Sequence, residues 1–151
     1  SGSNKEEGRS AGAAYVGWKY PDYKAWVVKL VGEQSAVDAL KIYDPKKHEG
    51  QYALEYTIGD FITDSGMRGL GGCTNLTLAE TMAKTGALAP WIYTFEDSTV
   101  PTSPSRHKGY DNAASHAAEL TYLFPDAGQY LPRSVRMTDE QRALARQMRA
   151  Y

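Results

Sequence analysis

A single histidine, His116, is the side chain of this sequence whose setting best suits proton transfer. Small residues flank it, with Ala114 and Ser115 before it and Ala117 and Ala118 after it. Such neighbours leave an imidazole open to approach from both sides. Because the unperturbed pKa of histidine lies nearest to neutral pH, an imidazole held in this way can act as a general base and then as a general acid. The competing interpretation is a packed or solvent-facing histidine without a chemical role.

The sequence around His116 carries a longer pattern, GYDNAASHAAELTYLF, over residues 109–124. It resembles the histidine loop of the type-B carboxylesterase and cholinesterase family of α/β-hydrolases, which reads roughly G-x-x-H-G-x-E-L-x-Y-x-F. The matching positions are His116, Glu119, Leu120, Tyr122 and Phe124. Ala117 stands where the family usually has glycine, which adds one methyl group beside the histidine. The resemblance implies that His116 is the general base and acid of an ester hydrolase.

The first eight residues, SGSNKEEG, form a second segment whose side chains could take part in catalysis. Taken alone, this Gly/Ser-rich stretch with two carboxylates is typical of a solvated loop. It also resembles the same family's segment G-x-N-x-D/E-E-G, in which the glutamate before the last glycine is the acid of the catalytic triad. The matching residues are Asn4, Glu7 and Gly8, with Glu6 at the variable acidic position. The separation of Glu7 from His116 along the chain is also similar to the spacing in the family.

The pairing of Glu7 with His116 that the resemblance implies has a chemical reason. A carboxylate bonded to one imidazole nitrogen fixes the tautomer of the ring. It also stabilises the imidazolium that forms when the other nitrogen takes the proton of a nucleophile. Glu7 is therefore expected to orient His116, and both residues are the predicted catalytic pair.

Aromatic residues near these motifs are candidates for the walls of a substrate pocket. Residues 9–20 are predicted to be loop or irregular structure, and in the family the corresponding region helps to line the entrance to the active site. The candidates are Tyr15, Trp18, Tyr20 and Tyr122. Packing in a core is the competing interpretation for each of them.

Composition excludes several other classes of function. A net charge of −1 over 151 residues gives no electrostatic reason to expect a nucleic acid or an acidic membrane surface as partner. No apolar run approaches the length that spans a bilayer. The lone Cys73 cannot form an internal disulfide or build a thiolate metal site by itself. The three histidines lack ligand spacing, so a metal site is not expected. The resemblance implies no organic cofactor either.

Apolar spacing predicts the helices that must position these residues. The pattern i, i+3, i+4, i+7, i+8 is complete from Tyr23 to Val31, after Pro21 and before Gly32. The predicted helices cover residues 22–31, 34–43, 52–65 and 74–84, with a further one that opens at Thr138 and runs to Tyr151. This last helix begins with a capping box between Thr138 and Gln141.

Further expectations concern single side chains. His48, within the run KKHEG, is expected on the surface, and Asp60 and Asp64 are expected on or near the polar side of the third helix. Cys73 is expected to be a small buried residue rather than a nucleophile. The residues predicted to face the core are Tyr23, Trp26, Val27, Leu30, Val31, Val37, Leu40, Leu54, Ile58, Phe61, Ile62, Leu76, Ala79, Met82, Ala83, Leu144, Met148 and Tyr151.

The segment APWIYTFE, residues 89–96, is the clearest predicted strand. Its aromatic residues alternate with Ile92 and Thr94, and such enrichment is typical of β-strands. In the family that the chain resembles, a strand with a similar pattern precedes the histidine loop.

One part of a serine esterase is missing from the sequence. No G-x-S-x-G pattern occurs, so no serine has the strained strand-to-helix turn that exposes a nucleophile. The resemblance therefore implies that residues 1–151 are the C-terminal fragment of one carboxylesterase catalytic domain. The implied fold is α/β, with mostly helices and one or two sheet strands in this portion. Because a lone strand leaves backbone groups unpaired, we expect this portion to need the N-terminal portion of the esterase, in the same polypeptide or a companion chain.

The expected function is that of a serine-dependent carboxylic ester hydrolase acting on a small-molecule ester through an acyl-enzyme. This chain would supply the glutamate and histidine of the triad. One alternative is a non-catalytic binding module of the adhesion type on the same fold, although such relatives typically lose triad residues. Another is an unrelated helical interaction domain whose motif matches arise by chance.

Overall fold

The computed structural model describes residues 9–65, 72–86, 90–93, 95–101, 106–112, 118–124 and 136–150; for residues 9 and 10 it describes the main chain only. Helix accounts for 64% of this part of the chain and strand for none of it, so the predicted α/β fold with one or two sheet strands is wrong. The helices are α1 (Arg9–Gly12), α2 (Tyr20–Ile42), α3 (Ala53–Asp64), α4 (Gly72–Lys84), α5 (Leu120–Leu123) and α6 (Asp139–Met148). Two 3-10 turns lie at Ala13–Tyr15 and Pro45–Lys47.

The segment predicted as a strand has no regular secondary structure at residues 90–93 and 95–97, while Ala89 and Thr94 lie outside the described residues. Trp91 is 94% exposed, and Ile92 and Tyr93 are exposed beside it. A strand is stabilised by the neighbouring strands that pair with its backbone. The described ranges contain no strand that could pair with this segment, so alternation alone does not produce a sheet here.

Helix α2 contains a break at Gly32, where φ is 80° and ψ is 161°. A positive φ of this kind is accessible to glycine because it has no Cβ. The two predicted helices, 22–31 and 34–43, therefore lie on either side of this turn, as expected. At the start of α2, the Asp22 carboxylate accepts the backbone N–H of Lys19 at 2.8 Å and caps the helix.

The first core lies between α2 and α3. Its buried members are Tyr23, Val27, Ala36, Ile58 and Phe61, and partly buried residues that pack against it include Leu40, Leu54 and Ile62. The predicted inward face of the third helix is confirmed. Leu30, Val31 and Val37 are exposed instead of buried. Tyr23 and Val27, on the same part of α2, are fully buried, so the predicted face is right there and its cover does not extend to Leu30 and Val31 beside Gly32.

The second core joins the segment 95–101, α5 and α6. Its buried members are Val100, Ala118, Tyr122 and Ala145, with Phe95, Met137 and Met148 packed against them. The predicted capping box is confirmed: Thr138 Oγ1 accepts the Gln141 N–H at 3.2 Å, and Gln141 Oε1 accepts the Thr138 N–H at 2.9 Å. Gln141 Nε2 also donates to the Thr99 carbonyl at 2.8 Å. Leu144 remains exposed, and Tyr151 lies outside the described residues.

Helix α4 forms where it was predicted but buries none of its side chains. Leu76 is 54% exposed, and Met82 and Ala83 are exposed as well, so the predicted inward face is wrong. Cys73 is also exposed, contrary to expectation. An amphipathic pattern selects the face that could be buried but does not supply the surface that covers it. None of the helices described here is long and apolar enough to cross a bilayer.

Candidate active site

The two predicted catalytic residues, Glu7 and His116, lie outside the described residues, within the ranges 1–8 and 113–117. The structure does describe the segments beside them. Helix α1 follows Glu7, the segment 106–112 precedes His116, and the segment 118–124 follows His116. The candidate site is defined by how these three segments are held.

The segment after Glu7 and the segment before His116 meet on α3. Gly12, at the end of α1, packs so closely that a Cβ built on it would lie 2.1 Å from the Glu55 carbonyl oxygen and 3.0 Å from the Tyr110 hydroxyl oxygen. Tyr110 belongs to the segment that leads to His116, and it is buried. Two parts of the chain that are far apart in sequence therefore share one contact point, which we call the α3 junction (Gly12, Glu55 and Tyr110).

Two tyrosine hydroxyls hold the main chain of residues 108–112. The Tyr52 hydroxyl donates to the Lys108 carbonyl at 2.9 Å, and the Asp111 N–H donates to the Tyr56 hydroxyl at 3.1 Å. The ring of Tyr110 lies against both, with centroid distances of 4.9 Å to Tyr52 and 5.0 Å to Tyr56. These contacts fix the position of the chain that enters the histidine segment.

The chain that follows the histidine segment is held by the second core. Ala118 is buried, and Tyr122 in α5 is 0% exposed. The Tyr122 ring packs at 5.1 Å from that of Phe95, and its hydroxyl donates to Oδ2 of Asp97. The Tyr122 carbonyl accepts a hydrogen bond from Arg149 at 2.7 Å, which ties α5 to the end of α6.

The contact between Tyr122 and Asp97 is charge-assisted. Burial tends to raise the pKa of Asp97, but hydrogen bonds from the Thr99 side chain, the Tyr122 hydroxyl and the Thr99 N–H outweigh it and leave the pKa below its ordinary value. The pKa of Tyr122 is raised, first by burial and then by its bond to Asp97 and by the charge of that carboxylate. At neutral pH the tyrosine is therefore a proton donor and the aspartate an ionised acceptor.

The predicted pocket residues do not gather in one place. Tyr15 and Trp18 are half-buried against the first core, with ring centroids 4.8 Å apart in an edge-to-face arrangement. Tyr20 is 50% exposed at the start of α2. Tyr122 lies in the second core. The predicted loop over residues 9–20 is partly wrong, because α1 and a 3-10 turn occupy residues 9–15. Short helical turns of this kind have too few residues to show a period in the sequence.

Sequence reasoning missed a contact between a half-buried His48 and a buried Asp60. His48 Nε2 lies 2.8 Å from Asp60 Oδ2, and the two side chains are only 15% and 11% exposed. The other carboxylate oxygen of Asp60 is buried without a hydrogen-bond partner. The expected surface position of His48 and the expected polar side for Asp60 are both wrong. The reason is that α3 is buried around most of its circumference, so its polar residues lie inside as well.

A second polar contact links α2 to α3. The hydroxyl of Tyr43 donates to Oδ2 of Asp64 at 3.1 Å, and the hydroxyl of Tyr23 donates to the Tyr43 carbonyl at 2.8 Å. Burial and, next, the charge of Asp64 raise the pKa of Tyr43. Over the ranges given for the structure, no group of three or more His, Cys, Asp or Glu side chains could hold a metal ion.

No family model, curated protein or solved structure matches this chain. The likeness to type-B carboxylesterases therefore rests on the two sequence motifs, around Glu7 and around His116.

Proposed function

We propose that this chain supplies the acid and the base of a serine-dependent carboxylic ester hydrolase. His116 is the general base and then the general acid, and Glu7 orients its imidazole. The nucleophilic serine belongs to a segment outside these 151 residues, in the N-terminal portion of the same polypeptide or in a companion chain. The substrate class is a small-molecule carboxylic ester.

The two sequence motifs carry this proposal, and the α3 junction limits how far apart their residues can lie. Glu7 lies five positions before Gly12, and His116 lies six positions after Tyr110. An extended chain spans about 3.5 Å per residue, so the chain length lets each residue reach no farther than roughly 20 Å from the same point on α3. The junction is therefore compatible with a Glu7–His116 pair, which the two sequence motifs suggest.

The proposed reaction has two steps that use the same imidazole. His116 takes the proton of the serine hydroxyl as its oxygen attacks the ester carbonyl, and the imidazolium then protonates the departing alcohol. In the second step His116 takes a proton from water, which attacks the acyl-enzyme. The carboxylic acid product leaves and the serine regains its proton. Glu7 stabilises the imidazolium in both steps without taking up a proton itself.

The test is turnover of p-nitrophenyl butyrate by the polypeptide or complex that contains this chain together with the nucleophile. We expect His116→Ala to lower kcat by roughly 10⁴-fold or more, and Glu7→Gln to lower it by a smaller but clear factor. His48→Asn is the matched control, because it also removes an imidazole but at the contact with Asp60. Full activity in His116→Ala would contradict the proposal.

A second candidate function is protein binding without catalysis, in a helical interaction domain. Two observations favour it. The consecutive residues Trp91, Ile92 and Tyr93 all have exposed side chains, and most of the described residues are helical. Contiguous exposed apolar side chains often mark interaction sites. An intact wild-type assembly that hydrolyses no ester would favour this second candidate.

A further inference from the structure

A half-buried imidazole and a buried carboxylate meet where the connector between α2 and α3 lies against α3. The connector, residues 43–52, contains the 3-10 turn Pro45–Lys47, and His48 directly follows that turn. His48 Nε2 lies 2.8 Å from Oδ2 of Asp60, which belongs to α3. The contact therefore attaches the connector to α3, and the proposed ester hydrolysis uses neither side chain.

The carboxylate of Asp60 has little compensation apart from this contact. Asp60 is 8% exposed, and its Oδ1 atom is buried without a hydrogen-bond partner within the described residues. In the same part of the chain, His48 is the one basic side chain in ion-pair contact with Asp60. An ionised carboxylate that is removed from water is costly unless a positive charge or hydrogen bonds compensate it. The charge of Asp60 therefore depends on His48 for its compensation.

The other charged and titratable groups of this region do not take over that role. Lys46 is exposed, and Lys47 Nζ donates to the Ile42 carbonyl at 2.6 Å. The hydroxyls of Tyr23 and Tyr43 donate to other acceptors, the Tyr43 carbonyl and an α3 carboxylate. The remaining groups on the connector and α3 are Asp44, Glu49, Glu55, Tyr56 and Asp64. Four of these are acids, and one carboxylate cannot compensate the charge of another.

We propose that the contact between His48 and Asp60 is a pH-sensitive clasp, which holds the connector more firmly on α3 when His48 is protonated. Histidine is the side chain that ordinarily changes its charge between pH 5 and 8. On the acid side of this range an imidazolium faces the carboxylate, and hydrogen bonds between ionised groups are shorter and stronger than neutral ones. On the alkaline side the imidazole is neutral, so the buried carboxylate loses its counter-charge. The clasp therefore strengthens as the pH falls and weakens as the pH rises.

The connector also holds a second segment of the chain. Tyr52, its last residue, donates its hydroxyl to the Lys108 carbonyl at 2.9 Å. Gln51 Nε2 lies 3.6 Å from the position of a Cβ built on Gly109. The ring of Tyr56, which packs on Tyr110 of this second segment, also lies against the His48 ring at a centroid distance of 5.8 Å. The clasp therefore lies beside the attachment of residues 106–112, and it does not depend on the proposed ester hydrolysis.

Hydrogen–deuterium exchange followed by mass spectrometry tests the clasp in the intact protein that contains this chain, at about pH 5.5 and about pH 8. Peptides covering residues 44–50 report the connector, where the N–H groups of Lys47 and His48 donate within the turn. Each variant is compared with the wild type at the same pH, so the general effect of pH on exchange cancels. The variants are His48→Asn and Asp60→Asn. Lys46→Gln is the matched control, because it removes an exposed positive charge from the same turn.

We expect His48→Asn and Asp60→Asn to speed exchange of the connector at about pH 5.5 by at least about tenfold, and at about pH 8 by about threefold or less. Lys46→Gln should change exchange by the same small factor at both pH values. The difference between the two pH values follows from the ion pair, which both clasp variants remove and the control retains.

Two outcomes would overturn the proposal. Equal acceleration at both pH values in His48→Asn would reduce the contact to a hydrogen bond without a change of charge. No acceleration at about pH 5.5 in Asp60→Asn would show that the carboxylate is not the partner of the protonated imidazole. Circular dichroism checks that each variant is folded, and His48→Asn decides alone if Asp60→Asn does not fold.

Discussion

The chain is anchored differently before and after the histidine segment. Before it, Tyr110 and its neighbours are held by neutral groups, since tyrosine hydroxyls of the α3 region bond main-chain atoms. After it, Tyr122 is fully buried and its hydroxyl bonds an ionised carboxylate, Asp97. One anchor depends on register and packing, whereas the other depends on a charge.

The two anchors should respond differently to a change of pH. A neutral bond to the main chain contributes about 1 kcal/mol and does not depend on pH in the acid range. A bond to a carboxylate is stronger but lasts only while the carboxylate is ionised. Loss of Asp97 ionisation should therefore weaken the anchor after His116 and leave the anchor before it unchanged.

The largest effect is expected from Tyr122→Ala. The substitution opens a cavity in the second core and removes the hydroxyl that donates to Asp97. We therefore expect the free energy of unfolding to fall by about 4 kcal/mol. Denaturant titration followed by circular dichroism measures the change. A loss below about 1 kcal/mol would show that the second core does not hold the chain after His116.

The next largest effect is expected from Gly12→Ala. The new Cβ would overlap the Glu55 carbonyl oxygen, so α1 must move away from α3, at a cost of about 3 kcal/mol. The φ of Gly12 is −60°, so this cost is steric and not conformational. Gly50→Ala is the control with the opposite cause. A Cβ at position 50 meets open space, but the φ of 86° is unfavourable for alanine, so the free energy of unfolding should fall by about 1 kcal/mol. Equal losses in both variants would argue against the α3 junction.

Tyr122→Phe removes the hydroxyl that bonds the Asp97 carboxylate but keeps the buried ring, so it measures the contribution of that hydrogen bond alone. At neutral pH it should lower the free energy of unfolding by about 1.5 kcal/mol. The pKa of Asp97 is lower in the folded chain than its ordinary value of 3.8. At a pH above 3.8 the ionised carboxylate therefore contributes its full stabilisation, and this contribution is lost as the pH falls through the lower pKa of the folded chain. The difference between variant and wild type should therefore shrink in acid. Denaturant titrations at a series of pH values from neutral to strongly acid test this, and a difference that stays constant would contradict the charge-assisted bond.

The smallest effect is expected from Tyr56→Phe. It removes the hydroxyl that accepts the Asp111 N–H but keeps the ring packed on Tyr110, so stability should fall by about 1 kcal/mol. The same loss should be measured at neutral and at acid pH. A marked pH dependence in this variant would remove the contrast between the two anchors.

The helices of this chain could be predicted from the sequence because their signals are local. The spacing from Tyr23 to Val31, the glycine at position 32 and the capping box at Thr138 each act over a few neighbouring residues. The same signals correctly placed Ile58 and Phe61 in the first core. They fail for Leu76, because burial of an apolar face depends on which other surface covers it.

Non-local contacts explain the remaining failures. The predicted strand at residues 89–96 needed partner strands, which its own alternation cannot supply. His48 was expected to be exposed within a charged run, yet it packs against Asp60 because α3 is buried on nearly all sides. The α3 junction also could not be predicted, since nothing in the sequences around Gly12 and Tyr110 indicates that they meet.

A cross-link between positions 7 and 116 tests the proposed Glu7–His116 pair. In a Cys73→Ser background, cysteines replace Glu7 and His116, and disulfide formation under mild oxidation is measured in native buffer and in urea. A disulfide requires Cα atoms about 4.4 to 6.8 Å apart, so it reports close approach of the two main chains. We expect rapid cross-linking in native buffer that is largely lost in urea. Cross-linking no faster in native buffer than in urea would contradict the proposed pairing of Glu7 with His116.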